Sequence, residues 1–136
     1  MAVKSLSGIL KKTSEISGKQ EKIDFLRANM NRPLAIIIQN TYTDIEWDLP
    51  EGAPPYEPSE FDEPANLYKE VKRFYLFIKG QSPENLHKIK RERLFIELLE
   101  FIDAEDAKLV LGMKDGKLPY PRLTKNFMQE ALPEIF

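Results

Sequence analysis

The sequence predicts an all-α protein: a compact single-domain bundle of six or seven helices over residues 1–136, with one long acidic connection rich in proline. Apolar residues recur at helical spacing along most of the chain, and several of these stretches begin at a residue that favours helix N-termini. A chain of 136 residues with 42% hydrophobic residues is large enough to bury one sizeable core.

Three helices are predicted in the first third of the chain. The first covers residues 3–16, where Val3 begins an apolar stripe, and the second begins at Ser17, because Gln20 three residues later completes a capping-box pattern. The apolar run 34–39 is too short for periodicity to distinguish helix from strand. We predict a helix there because no partner strand is visible elsewhere in the sequence.

Two helices are predicted in the middle of the chain. Residues 65–78 have a clear apolar face, and Gly80 is well placed to end that helix. Ser82 with Pro83 at the next position favours the start of a long helix that runs to about residue 102. Ile89 is expected to face the core from this helix.

Two more helices are predicted near the C-terminus. One is expected to begin after Asp103 and to end near Gly116. The last is expected to begin after Thr124, where Leu123 and Met128 have the spacing of a hydrophobic staple.

Residues 41–64, which we call the acidic segment, are predicted to be long and irregular. Residues 33–68 carry eight acidic and no basic side chains, so the charge there is −8, while the chain as a whole has a net charge of −2. Proline is excluded from the interiors of helices and sheets. The prolines are Pro50, Pro54, Pro55, Pro58 and Pro64. Aromatic residues in the segment indicate that parts of it pack on the domain.

The composition argues against several classes of function. The chain has no cysteine, and His87 is its single histidine, so neither a zinc site nor a Ser-His-Asp triad is credible. The acidic segment lacks the pattern of a calcium loop, and no pair of carboxylates is marked as catalytic. We therefore expect a protein that is not an enzyme, with no cofactor, no metal and no evident small-molecule substrate. No apolar run is long enough for a signal peptide or a membrane span, so we expect a cytoplasmic protein without a membrane partner.

Several stretches resemble a family of short proteins of T-even-like tailed phages, including those of cyanophages. These stretches are residues 49–56, 90–100, 103–107, 113–120, 123–124 and 130–133. More distantly, the chain is similar to the N-terminal DNA-binding domain of phage ATP-dependent DNA ligases, which ends in a helix and a turn like Ala131-Leu132-Pro133. The first resemblance implies no activity, and the second implies binding to duplex DNA. The acidic segment departs from the ligase pattern, because a segment that contacts phosphates should be rich in lysine.

Two basic clusters are candidate contacts for nucleic acid. The residues are Lys114, Lys117, Arg122, Lys125, Lys88, Lys90 and Arg91. The first four lie between one helix C-terminus and the N-terminus of the next, where free N–H groups favour phosphates. The alternatives are an ordinary solvated turn and, for the cluster at 88–91, ion pairs within one helix.

The acidic segment is the second candidate site. Its acids alternate with aromatic residues, which is typical of a surface that binds a basic protein or mimics nucleic acid. The proposed partner-binding residues are Trp47, Tyr56, Phe61, Glu57, Glu60, Asp62 and Glu63. The alternative is a packed loop whose acids pair with lysines of the same domain.

We therefore expect a non-enzymatic, phage-encoded binding module in the cytoplasm of the infected host cell. It is expected to contact duplex DNA without sequence preference, or to act as an accessory in phage replication or takeover. The alternatives are a protein-interaction factor that binds a host or phage protein through the acidic segment, and a virion component. The resemblance favours the DNA hypothesis, whereas the charge pattern favours a protein partner.

Overall fold

The computed structural model describes residues 4–136, and it confirms an all-α fold. The α-helices are α1 (Leu6–Glu15), α2 (Lys19–Ala28), α3 (Arg32–Tyr42), α4 (Pro64–Glu70), α5 (Lys88–Phe101), α6 (Ala104–Lys114) and α7 (Lys125–Ala131). A 3-10 helix, Val71–Phe77, continues α4, and a second one, Pro133–Ile135, follows α7. Within residues 4–136 the β-type pairing amounts to an isolated antiparallel bridge between Trp47 and Ile78. Val3, the first residue of the predicted apolar stripe, lies outside the described residues.

A single hydrophobic core holds these helices together, with α6 at its centre. Helix α6 packs against α1, α3 and α5. Its residues Leu109 and Met113 are fully buried beside Ile37 of α3 and Leu10 of α1. Each buried side chain of this size stabilises the fold by roughly 1.5–3 kcal/mol. The core therefore positions α5 and α6, which carry the candidate site.

Four helices begin at side chains that cap them, and Ser5 caps α1 through the Gly8 N–H at 3.1 Å. Asn31 accepts a hydrogen bond from the Leu34 N–H at 2.9 Å, so the run 34–39 forms a helix as predicted. Asp103 caps α6 through the Glu105 N–H, and Thr124 caps α7 through the Phe127 N–H at 3.2 Å. The predictions for these two C-terminal helices are confirmed.

The predicted start of the long helix is wrong. Helix α5 begins at Lys88, and residues 82–87 form turns rather than helix. A helix through Ser82 would use the carbonyl of Leu86 for a backbone N–H four residues later. Instead, this carbonyl accepts a hydrogen bond from the Arg91 side chain at 2.9 Å. Ile89 is 72% exposed and does not face the core as predicted.

Two smaller predictions also need correction. Helix α2 is capped by Gly18 without a side-chain hydrogen bond, so the capping box at Ser17 is wrong. The side chain of Gln20 instead donates to Asp24 at 2.9 Å. The predicted helix at 65–78 is α-helical to Glu70 and then tightens into the 3-10 helix, which ends at Phe77.

The acidic segment is irregular from residue 43 to residue 63, which confirms the prediction apart from its ends. Its aromatic residues differ in burial. Trp47 and Tyr56 are half-buried against the core, whereas Phe61 is 75% exposed. The segment is therefore attached to the domain at some points and open to solvent at others.

Candidate functional site

Two buried cations hold the first part of the acidic segment against the helices. Arg91 donates from Nε to the Asp48 carbonyl at 3.0 Å, and its Nη2 forms an ion pair with the Asp48 carboxylate at 2.9 Å. Lys114 donates from Nζ to the Pro50 carbonyl at 3.0 Å and to the Asp115 carboxylate at 2.6 Å. Both residues are only 8% exposed. Buried cations need such partners, because desolvating an unpaired charge is costly.

These contacts change the candidate nucleic-acid interface. Arg91 and Lys114 were predicted to contact phosphates, but their donors are directed to the acidic segment of the same chain. They are therefore structural residues and not exposed contacts. No short sequence pattern distinguishes them from the other basic residues, because their partners lie 43 and 64 residues away along the chain.

The other five basic candidates are exposed. Lys117 and Arg122 lie in the connection between α6 and α7, Lys125 is the first residue of α7, and Lys88 and Lys90 lie in the first turn of α5. None of the five forms an ion pair within 4 Å with another residue of the range 4–136. They form two separate exposed groups along the chain.

The acidic segment runs beside α5 in the same direction. At one end, the Asp48 carbonyl contacts Arg91; further along, the Glu57 N–H donates to the Glu100 carboxylate at 2.8 Å. The residues in each of these two contacts are 43 positions apart, so the segment and the helix advance together. The structure thus brings the acids of the segment beside the acids of α5, which the sequence did not reveal.

The second part of the segment forms what we call the acidic–aromatic face with the end of α5. Its residues are Glu57, Glu60, Phe61, Asp62, Glu63, Glu100, Phe101 and Asp103. Phe61 is 75% and Phe101 is 50% exposed. None of these acids forms an ion pair with a described residue. The face therefore combines net negative charge with two exposed aromatic rings.

The first part of the segment behaves differently. Glu46 pairs with Lys79 at 3.1 Å, and Asp48 pairs with Arg91, so the alternative of internally paired acids holds for these two. The backbone is also attached there, because Asp48 N–H donates to the Phe77 carbonyl at 2.7 Å. Trp47 lies in this part and forms a bridge with Ile78.

At the start of α6, the pKa values of two carboxyl groups are raised: Asp103 of the face and the neighbouring Asp106. Burial raises the pKa of Asp103, and the neighbouring carboxyl groups of Asp62 and Asp106 raise it further, although the Glu105 N–H partly offsets them. Burial also raises the pKa of Asp106, whose Oδ1 accepts a hydrogen bond from the Ser7 N–H at 3.2 Å. The Oδ2 atom of Asp106 is buried without a partner among the described residues. Carboxylates this close oppose one another's ionisation.

Comparison with known families classifies most of the chain. A family model described as a family of unknown function, DUF6433, matches residues 9–120. The chain belongs to the DUF6433 family. No curated protein and no solved structure matches it. The resemblances to phage proteins and to ligase domains stay predictions.

The DUF6433 match extends from within α1 to just beyond α6. It includes the acidic–aromatic face, both buried cations and Lys117, whereas Arg122, Lys125 and α7 follow it. The acidic segment and its attachment to α5 are therefore part of the region that defines the family.

The contribution of α5 and α6 to the face was not predicted from the sequence. Glu92, Ile96 and Glu100 recur at four-residue spacing, which places them on one side of a helix. That signal was available, but the sequence does not say that the acidic segment covers this side. Only the structure therefore shows that the face includes Glu100, Phe101 and Asp103.

Among residues 4–136, no group of three or more His, Cys, Asp or Glu side chains has an arrangement that could hold a metal ion. In the same range, no helix has both the length and the apolar character needed to cross a membrane.

Proposed function

We propose that this DUF6433 protein is a non-enzymatic, phage-encoded interaction factor that binds a basic host or phage protein in the cytoplasm of the infected cell. The observation that carries the proposal is the acidic–aromatic face, which combines the exposed rings of Phe61 and Phe101 with carboxylates that form no ion pair with a described residue. Unpaired acids attract a basic partner and speed its association. Exposed aromatic rings provide the apolar contacts that dominate the affinity of interfaces.

The alternative use of the acids, as internal partners for lysines, accounts for only the first part of the segment. Glu57, Glu60 and Glu63 are exposed and have no ion pair with a described residue. Like charges that stand together without partners repel each other, which is a cost to the folded state. A basic partner would relieve this repulsion, so the arrangement is better suited to a complex than to the isolated chain.

The test is co-purification from infected cells with a charge-reversed variant. We expect the triple variant Glu57→Lys, Glu60→Lys and Glu63→Lys to lose a partner that wild type retains, with an unchanged circular dichroism spectrum. The matched control reverses Glu15, Glu21 and Glu84, which are exposed and have no ion pair with a described residue. Nuclease treatment before capture excludes bridging by nucleic acid. If both triple variants retain the same proteins as wild type, the proposal is wrong.

A second candidate function is sequence-tolerant contact with duplex DNA. The exposed and unpaired Lys117, Arg122 and Lys125 favour it, because such cations neutralise phosphates. Replacing all three by alanine should abolish binding at low salt, and wild-type affinity should fall steeply as salt rises. No binding to a duplex at low salt, or an unchanged affinity in the triple alanine variant, would remove this candidate.

A further inference from the structure

The acidic segment and α5 cover the same distance with different amounts of backbone length. From Arg91 to Glu100 the helix rises 1.5 Å per residue, so these nine steps span roughly 14 Å. The nine steps from Asp48 to Glu57 could extend to roughly 30 Å if the chain were straight. Because both ends are attached to α5 through the side chains of Arg91 and Glu100, the backbone between them is long enough to bow away from the helix.

The bow leaves a groove of about 320 Å³ between the segment and α5. Residues 49–55 form one wall, and Glu92, Phe95 and Ile96 of α5 form the other. Phe95 is buried and supplies an apolar floor. Gly52 lines the groove and has a φ of 77°, a value that glycine adopts without strain, so the chain can turn sharply at this residue.

The groove is stiff and part of its lining is acidic. Pro50, Pro54 and Pro55 restrict the backbone of the bow, so little conformational entropy is lost when a ligand enters. Glu51 and Glu92 also line the groove, and neither forms an ion pair with a described residue. A groove that combines a largely apolar lining with two unpaired carboxylates is complementary to an apolar side chain that is flanked by lysine or arginine.

The groove is also continuous with the acidic–aromatic face. Glu92, Ile96 and Glu100 follow one another on one side of α5, and Glu100 holds the Glu57 N–H at the start of the face. A peptide chain that anchors an apolar side chain in the groove can therefore continue over the acids of the face.

We propose that this groove binds an apolar side chain, of leucine or methionine size, from a basic segment of the partner protein, with Glu51 and Glu92 contacting the flanking lysines or arginines. This inference rests on the proposed function, since it names the chemistry of the partner at the same surface. The groove supplies the specificity for an apolar anchor, and the neighbouring acids supply the attraction for positive charge.

The experiment uses three fluorescent 12-residue peptides and the full chain. One peptide alternates pairs of lysine and leucine, the second replaces leucine by serine, and the third replaces lysine by serine. We expect the lysine–leucine peptide to bind about tenfold or more tightly than either of the others, because it alone has both the apolar anchor and the charge.

Variants of the groove locate the binding. Ala53→Trp adds an indole to the exposed wall of the groove and should remove the preference for leucine over serine. The double variant Glu51→Gln and Glu92→Gln should weaken the lysine–leucine peptide by about three- to tenfold and reduce the salt dependence of its binding. The control Glu15→Gln and Glu84→Gln removes the same charge away from the groove and should bind like wild type.

The outcomes separate this inference from the proposed function. If the lysine–serine peptide binds as tightly as the lysine–leucine peptide, the groove is not used, although attraction to a basic partner is supported. If the leucine–serine peptide binds as tightly, the charge requirement is wrong. The inference is also wrong if Ala53→Trp keeps the preference for leucine over serine, or if no peptide binds. Co-purification with the triple variant Glu57→Lys, Glu60→Lys and Glu63→Lys tests the proposed function separately.

Discussion

Arg91 should be the residue whose loss most weakens the attachment of the acidic segment. Its guanidinium joins three parts of the chain: helix α5, the turn that precedes it, and Asp48 of the segment. The change we consider is Arg91→Met, because methionine keeps an apolar chain of similar length and removes every polar contact.

The expected cost follows from the contacts that disappear. Two hydrogen bonds from a charged donor to the carbonyls of Asp48 and Leu86, at 3.0 and 2.9 Å, contribute about 1.5–3 kcal/mol each. The ion pair adds at most about 1 kcal/mol, because the Asp48 side chain is 39% exposed and water can replace its partner. Since methionine keeps the packing and solvent can reach part of the gap, we expect the low end of this range, about 3–4 kcal/mol.

The measurement is the free energy of unfolding in urea, together with the melting temperature. For a domain of 136 residues, a loss of about 3–4 kcal/mol corresponds to a fall in melting temperature of roughly 10–15 °C. The matched control is Arg93→Met, because Arg93 is exposed on the same helix and has no ion pair with a described residue. It should change stability by less than about 0.5 kcal/mol. Equal stabilities for the two variants would refute the role assigned to Arg91.

Three further changes test other parts of the fold. Burial raises the pKa of Asp106 above its ordinary value of 3.8, so the folded chain binds this proton more tightly than the unfolded chain and loses stability as pH rises above 3.8. The melting temperature of Asp106→Asn should therefore rise relative to that of wild type as the pH is raised from 4 to 7. If the difference between the two melting temperatures stays constant or shrinks over this range, the reasoning is wrong. Gly112→Ala should lower the free energy of unfolding in urea by about 1–3 kcal/mol, although alanine favours helix. The reason is that a Cβ at this position would lie 2.7 Å from the Lys117 carbonyl oxygen and 2.8 Å from Pro119 Cδ. A variant that is more stable than wild type would refute the close contact. Thr124→Ala should lower the free energy of unfolding by about 1 kcal/mol through loss of the α7 cap, and no measurable loss would show that the cap contributes little.

The parts of the fold that depend on nearby residues were predictable from the sequence. Asp103 and Thr124 cap helices through N–H groups two and three residues away, so both partners of each hydrogen bond lie in one short stretch of sequence. The irregular acidic segment was predictable for a similar reason, because proline excludes helix and sheet wherever it occurs so densely.

The start of α5 was not predictable in this way. Ser82 and Pro83 form a favourable N-terminal pair, but the carbonyl of Leu86 is taken by the Arg91 side chain, which also holds Asp48 at a separation of 43 residues. Once the acidic segment is packed beside α5, this contact holds the turn that precedes the helix. A local sequence pattern cannot include a contact that depends on a residue 43 positions away.

The same limitation applies to the candidate site. By charge alone, Arg91 and Lys114 are indistinguishable from Lys90 and Lys117, and all four were reasonable contacts for phosphate. Only the fold separates the two that are buried against carbonyl groups from the two that remain exposed. The aromatic residues proposed to bind a partner were only partly predictable. Phe61 is exposed, whereas Trp47 forms a bridge with Ile78.

The distribution of partners along the acidic segment explains how one charged stretch can serve both folding and binding. The two buried cations, Arg91 and Lys114, contact residues 48–50 of the segment, and Lys79 pairs with Glu46. These contacts fix the segment where it leaves the domain. The acids at 57–63 lie beyond them and have no such cation, yet they are held in position by the attachment at Glu100 and by the prolines between. If all the acids served only to attach the segment, cations would be expected along its whole length. Their restriction to one end favours a segment that is anchored at residues 46–50 so that the acids further along stay ordered and free to meet a partner.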